Sequence, residues 1–305
     1  MVLSQLIDQA ASFWDHHVSS QDNSLMLRWW DHRELHNLVN ANWSEATGSL
    51  NAGEFIRKVT GRERLGTGIS IGCGSAEDEI ILLEQGVLDR LIICDISTKQ
   101  LERAVAFVES RGIDKNRLTL LNSVDLEQPF PEKLDLVYWR HSLHHMFDTG
   151  KTLEWCRDSL ADDGAVYCND SCPPNYMQWD EEVLNWLEMY RSSLPPEYLK
   201  NPYQPDQYMA TRPEVPSVEY WMSVDPTECA DSAAIIPSIQ KLAPTAKIAF
   251  LGGCVYGWAL NDIINNFRSE GDGLRLKNAM LVDKLMSKCG MNYFFTCVIN
   301  RRDFI

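Results

Sequence analysis

The amino-acid sequence predicts an α/β fold: a doubly wound, mostly parallel, seven-stranded sheet. Three observations predict it. Between residues 61 and 172, short apolar runs rich in Val, Ile and Leu alternate with segments of helical length. These runs lack the in–out polar alternation of a half-exposed strand, so both of their faces are expected to be covered. Two more such runs, "AKIAFLGG" and "NYFFTCVINRR", resume the pattern after residue 233.

The elements follow in order. Residues 1–60 read as a helical cap. In "SLMLRWWDHRELHNLVNANW" Leu25, Leu27, Trp30, Leu35, Leu38 and Val39 recur at helical spacing behind a candidate N-cap, Ser24. "NAGEFIRKVTG" is a short helix stopped by Gly61. The core, residues 61–172, opens with the strand "GTGISIG". The helix "SAEDEIILLEQG" has an acidic first turn and Gly86 as its stop. "RLIICDIS" is the second strand, and "STKQLERAVAFVESRG" is a helix between an N-cap at Ser97 and Gly112. "RLTLLNSVD" and "KLDLVYWR" are the third and fourth strands, "TGKTLEWCRDSLADDG" the next helix and "AVYCND" the fifth strand.

Residues 173–232 break this rhythm with prolines and aromatics, and only Asp180 to about Ser192 reads as a helix. A long aromatic insertion late in an α/β domain predicts a lid over an acceptor site or a surface that forms oligomers. Residues 233–305 complete the sheet, with a helix around Thr227–Lys241, the sixth strand, helical stretches within 256–288 and the final strand.

Composition narrows the function. The 305 residues carry a formal net charge of −15, which argues against a surface that tracks nucleic-acid phosphates or docks on anionic membranes. The first residues, "MVLSQLIDQAASFWDHH", lack a basic stretch followed by an apolar one, so no secretory signal is expected. No run approaches the roughly 18 apolar residues of a membrane helix. Nine scattered cysteines without a C-x-x-C pair predict free thiols in a reducing cytoplasm.

Ligands of open α/β sheets sit beyond the carboxyl ends of the strands. Four strand ends are informative. In "ISIGCGSAEDE", Gly72 and Gly74 allow a sharp turn and close backbone approach. The next helix starts with Glu77, Asp78 and Glu79, which favour the helix dipole but repel a pyrophosphate. A ligand without phosphate and with positive charge fits better, and S-adenosylmethionine is one. Asp95, 23 residues after Gly72, is placed to accept two ribose hydroxyls or to cap the following helix. Asp125, past the third strand, suits an adenine amino group, with Val124 packing on the ring, or a simple turn. The fourth end is "LDLVYWRHSLHHM".

Residues 60–172 resemble a class I S-adenosylmethionine-dependent methyltransferase of the small-molecule type. The resemblance is carried by "GISIGCG", "CDIS", "SVDLEQPFP", "FPEKLDLVYWRHSLHHM" and "SLADDGAVYCND". It implies the Rossmann-like methyltransferase fold and S-adenosylmethionine as cofactor. The implied cofactor-binding residues are Ser70, Gly72, Cys73, Gly74, Asp95, Ile96, Val124, Asp125, Arg140 and His141. Ser70 stands where the family often has an acid, and Ala76 replaces the usual third glycine. "DPTECADSAAIIPSI" and the aromatic insertion are similar to bacterial methyltransferases associated with glycan or sugar modification.

Methyl transfer needs an aligned nucleophile at about 3 Å from the methyl carbon, exclusion of water and, for an O–H or protonated N–H acceptor, a base. "RHSLHHM" supplies His141, His144 and His145. It lacks the H-E-x-x-H pattern of a zinc site, and no carboxylate cluster lies near it in sequence, so no metal is expected. His144 and His145 are the candidate bases. Tyr176, Trp179, Tyr208 and Trp221 of the insertion are the candidate contacts to a small-molecule acceptor, with saccharides and secondary metabolites as the candidate classes, unless these faces form a homodimer. Two other readings stand beside this one: a non-catalytic S-adenosylmethionine-binding regulator, and a nicotinamide-dependent oxidoreductase, against which the acidic helix start argues.

Overall fold

The computed structural model describes residues 3–21, 28–204, 206–268 and 271–305. Seven strands form one sheet: β1 (Leu65–Ile71), β2 (Leu88–Cys94), β3 (Leu118–Leu121), β4 (Leu134–Arg140), β5 (Leu160–Ser171), β6 (Ala249–Gly252) and β7 (Phe294–Asn300). Their order is β3-β2-β1-β4-β5-β7-β6. The first five pair in parallel, and β7 runs antiparallel between β5 and β6. The order reverses between β1 and β4, the place where open sheets hold ligands.

Ten α-helices accompany the sheet among the described residues: α1 (Leu3–Gln21), α2 (Arg33–Thr47), α3 (Ala52–Thr60), α4 (Glu77–Glu84), α5 (Thr98–Ser110), α6 (Thr149–Ser159), α7 (Glu181–Ser192), α8 (Val218–Val224), α9 (Ile235–Leu242) and α10 (Asp272–Lys288). The expected cap Ser24, with Leu25 and Leu27, lies outside the described residues. The helix that follows starts at Arg33, and the His32 ring accepts from Leu35 N at 3.3 Å as its cap. The helix expected over Thr227–Lys241 is shorter: a single turn at Ser232–Ala234 leads into α9, whose Pro237 is tolerated in a first turn that needs no N–H from it.

Consecutive strand residues serve opposite faces. Val137 and Trp139 join one core with Ile69, Leu153 and Cys156. Leu136 and Tyr138 join another with Leu65, Ile80 and Leu91. Continuous apolar runs therefore do read as strands buried on both sides. A third core unites α7 (Val183, Leu184, Leu187) with Tyr256, Phe267 and the α10 residues Leu276 and Met280. The aromatic insertion thus has two characters. Its first helix is core, whereas among the described residues of 201–224, which include α8, only Pro213 is buried.

Candidate active site

The carboxyl ends of β1, β2, β4 and β5 converge. After β1 the chain turns at Gly72, whose φ of 65° is a conformation that glycine adopts without strain. A Cβ there would also meet Ser142 Cβ at 2.8 Å, so the turn abuts the histidine loop directly. Gly74 has a φ of 54°, and Ala76, at the place of the third glycine, keeps a φ of 52°. The backbone retains glycine geometry where the sequence has lost the glycine.

Asp95 follows β2 and is 8% exposed. Its Oδ2 accepts from Gly74 N and its Oδ1 from Ser97 N, both at 2.8 Å. Burial pushes this carboxyl up, against the pull of those two N–H groups. An ionised carboxylate offers about four lone-pair sites, so Asp95 serves its own turn and keeps capacity for further donors. Helix α1 reaches the same end of the sheet, where Ser97 Oγ donates to Asp15 Oδ1 at 2.5 Å. Ile96 is exposed, and Cys73 is buried. Beyond β3, Val124 and Asp125 line a cavity of about 270 Å³ with Leu121 and Phe130. Asp125 Oδ1 also accepts from Glu127 N at 2.8 Å.

The three acids that open α4 differ in surroundings. Glu77 is exposed. Asp78 is ion-paired with Arg140 from the end of β4. Glu79 turns inward and accepts from Ser70 Oγ at 2.9 Å, and burial pushes its carboxyl up to about 7. They do not form the free anionic rim that the sequence suggested, which weakens that argument against a phosphate ligand. Arg140 and His141 are exposed by area yet hemmed in by protein, as expected on the wall of a cleft. His141 has a φ of 52°. Desolvation and the neighbouring Arg140 charge hold its imidazole down at about 4.

The next loop is organised by Asp170, at the end of β5 and 0% exposed. Its Oδ2 accepts from Ser142 N (2.8 Å) and Leu143 N (2.7 Å), and its Oδ1 from Ser171 N (2.7 Å) and His144 Nδ1 (2.5 Å). Burial alone would lower the His144 pKa and raise that of Asp170. Their mutual attraction and hydrogen bond reverse both, lifting His144 to about 9 and holding Asp170 at about 2. His145 is pushed down by burial and by His144. Its Nδ1 bonds Thr227 Oγ1 at 2.9 Å, and its ring lies edge-on to Trp14 of α1.

The four insertion aromatics have different surroundings. Tyr176 donates its hydroxyl to Met222 Sδ at 3.4 Å. Trp179 is buried in the third core, edge-on to Tyr293. Tyr208 is 60% exposed, and the Trp221 indole nitrogen is buried without a partner. Gln9 of α1 donates to Met222 O and Ser223 O, both at 3.1 Å, beside an open cavity of about 730 Å³ that Val218 and Glu219 also line.

Sequence reasoning missed Asp170, Asp225 and Glu228. Asp170 had a signal: it is an acid at a strand end, like Asp95. Asp225 and Glu228 had none, because the fold alone brings them beside histidines some eighty positions earlier.

A family model described as a methyltransferase domain matches residues 69–166. No curated protein matches the chain. Among solved structures, geranyl diphosphate C-methyltransferase from Streptomyces coelicolor A3(2) is similar at 10% identity over 97% of this chain and 98% of that one, with a TM-score of 0.49. An S-adenosylmethionine-dependent methyltransferase from Clostridium acetobutylicum ATCC 824 is similar at 16% identity over 47% of this chain and 54% of that one, with a TM-score of 0.35. Neither likeness is close enough to transfer a residue or a substrate.

Proposed function

We propose that the chain, whose residues 69–166 match a methyltransferase domain, is a class I S-adenosylmethionine-dependent enzyme that methylates an oxygen or nitrogen of a small molecule. The observation that carries the assignment of the site is Asp95, a buried carboxylate with two backbone donors and room for more. Two ribose hydroxyls would satisfy it. The cavity beside Val124 and Asp125 has an apolar wall and one acid, which suits a flat ring bearing an amino group. Gly72, Gly74 and Cys73 would border the cofactor at the β1 turn, with Ser70, Ile96, Arg140 and His141 around it.

The cofactor supplies a methyl group on a sulfonium, an activated leaving group. The chain has to hold the acceptor in line, exclude water and, for a protonated acceptor, take a proton. Accessibility favours His141 over His144 and His145 for that last task, since the other two have their Nδ1 atoms tied to Asp170 and Thr227. The acceptor would enter between α1 and α8, where Tyr176 and Trp221 offer apolar faces. Such faces suit a saccharide or an aromatic secondary metabolite. Trp179 would act from within the core, and Tyr208 from the surface.

Nine free cysteines fit a cytoplasmic setting, and no helix among the described residues is long and apolar enough to cross a membrane. Exposed Met189, Tyr203, Tyr208 and Tyr220 offer the insertion as a homodimer surface. The test is a screen with methyl-labelled S-adenosylmethionine against hydroxylated and amine acceptors, saccharides included. Label transfer to at least one class supports the reading. S-adenosylhomocysteine binding without transfer to any class favours the regulator.

A further inference from the structure

Two residues of the histidine loop also meet an acid from beyond the insertion's last helix. His144 Nε2 stands 3.8 Å from Glu228 Oε1, and His145 Nε2 stands 3.8 Å from Glu228 Oε2. One ligating atom from each of the three residues lies within 4.8 Å of the others. At 3.8 Å these pairs are too far apart for hydrogen bonds. They are near the separation of two ligands on one ion, since ligands at about 2.0–2.2 Å from a tetrahedral metal are roughly 3.4 Å apart.

The far side of each ring explains which atoms are free. His144 Nδ1 donates to Asp170 Oδ1 at 2.5 Å. Thr227 Oγ1 donates to Asp225 Oδ1 at 2.6 Å, so it accepts from His145 Nδ1, 2.9 Å away. With both Nδ1 atoms committed to their partners, only the Nε2 atoms are left to face the Glu228 carboxylate, and a metal ion would displace the Nε2 proton that His144 carries while charged. A carboxylate or hydroxyl behind each imidazole, fixing its tautomer and aiming Nε2, is the outer support that metal-bound histidines have.

A separate observation points the same way. Asp225 is 2% exposed, and its Oδ2 has no hydrogen-bond partner, although it lies 3.8 Å from His145 Nδ1. Asp170, Asp225 and Glu228 thus place three carboxylates around two imidazoles, of which His144 answers Asp170, so acidic groups outnumber basic ones there.

We propose that His144, His145 and Glu228 bind one divalent transition-metal ion through the two Nε2 atoms and the Glu228 carboxylate. The two-nitrogen, one-carboxylate donor set suits zinc, cobalt, iron(II) or manganese better than calcium or magnesium. Three protein ligands leave a fourth position for water or for an oxygen of the acceptor. The existence of the site does not depend on the methyl-transfer reading.

The test uses the full chain, stripped with a chelator and titrated with Co²⁺ under reducing conditions, read by visible absorption and calorimetry. One Co²⁺ per chain is expected, without the thiolate charge-transfer band that cysteine ligation would give. Glu228→Gln and His145→Ala should each weaken binding at least tenfold while keeping the wild-type circular dichroism. Absence of saturable binding to the wild type, a thiolate band, or undiminished binding in both folded variants would overturn the proposal. Should the variants fail to fold, a crystal soaked in Zn²⁺ decides: anomalous density between the three side chains supports the site, and density elsewhere or none refutes it.

Discussion

Asp95 and Asp170 end two strands of the same sheet, and both are buried. Asp95 accepts two backbone N–H groups and has its carboxyl pushed up by burial. Asp170 accepts three backbone N–H groups and an imidazole N–H, and is held at about 2 despite deeper burial. The difference is the number of donors and the presence of a cationic partner. One carboxylate is closed around its own loop. The other is left able to take the donors of a ligand. A strand-end acid therefore does not announce its role by position; its unfilled hydrogen-bonding capacity does.

Asp170→Asn should have the largest effect. It leaves either His144 and Ser171 N, or Ser142 N and Leu143 N, short of their acceptor and removes the charge that faces His144, and should cost about 3–5 kcal/mol in urea unfolding, the range for breaking a buried pair. A cost below about 1 kcal/mol would erase the contrast with Asp95. Asp95→Ala should mainly affect ligand binding. Two charge-assisted hydrogen bonds are worth about 1.5–3 kcal/mol each, so calorimetry should show S-adenosylhomocysteine affinity reduced by at least about 100-fold. Unchanged affinity would assign Asp95 to the turn alone.

Glu79 sharpens the comparison through pH. Its carboxyl is raised from 4.5 to about 7, so its contribution favours the fold at low pH and is lost as pH rises from about 4.5 through about 7. Glu79→Gln keeps an acceptor for Ser70 Oγ and removes the charge. The variant should gain roughly 2–3 kcal/mol on wild type at pH 8 relative to pH 4.5, measured by unfolding at both pH values. Equal pH slopes would show that Glu79 is ionised without cost. Gly72→Ala should cost the least, about 1–2 kcal/mol for a non-glycine residue held at positive φ. Because its Cβ presses on Ser142, whose N–H Asp170 holds, that cost should shrink in an Asp170→Asn background, as a double-mutant cycle would show.

The sheet was legible because strands buried on both faces read as apolar runs, and because Gly72, Asp95 and Arg140 fall at their ends. The helix starts were less so. His32 caps α2 with a ring nitrogen, a signal weaker in sequence than a serine. In the insertion, composition did not separate its two parts: Trp179 and α7 face inward to a third core, which a run of aromatics does not distinguish from a lid or an oligomer surface. The histidine cluster was legible only in half. His144 and His145 are neighbours in sequence, whereas Asp225, Thr227 and Glu228 reach them through long-range folding, which no local spacing records.

The most direct test of the central claim is calorimetric titration of the wild-type chain with S-adenosylhomocysteine and, separately, with NAD. Saturable binding of one S-adenosylhomocysteine per chain, with no heat from NAD, is the predicted result. Binding of NAD without binding of S-adenosylhomocysteine would contradict the account.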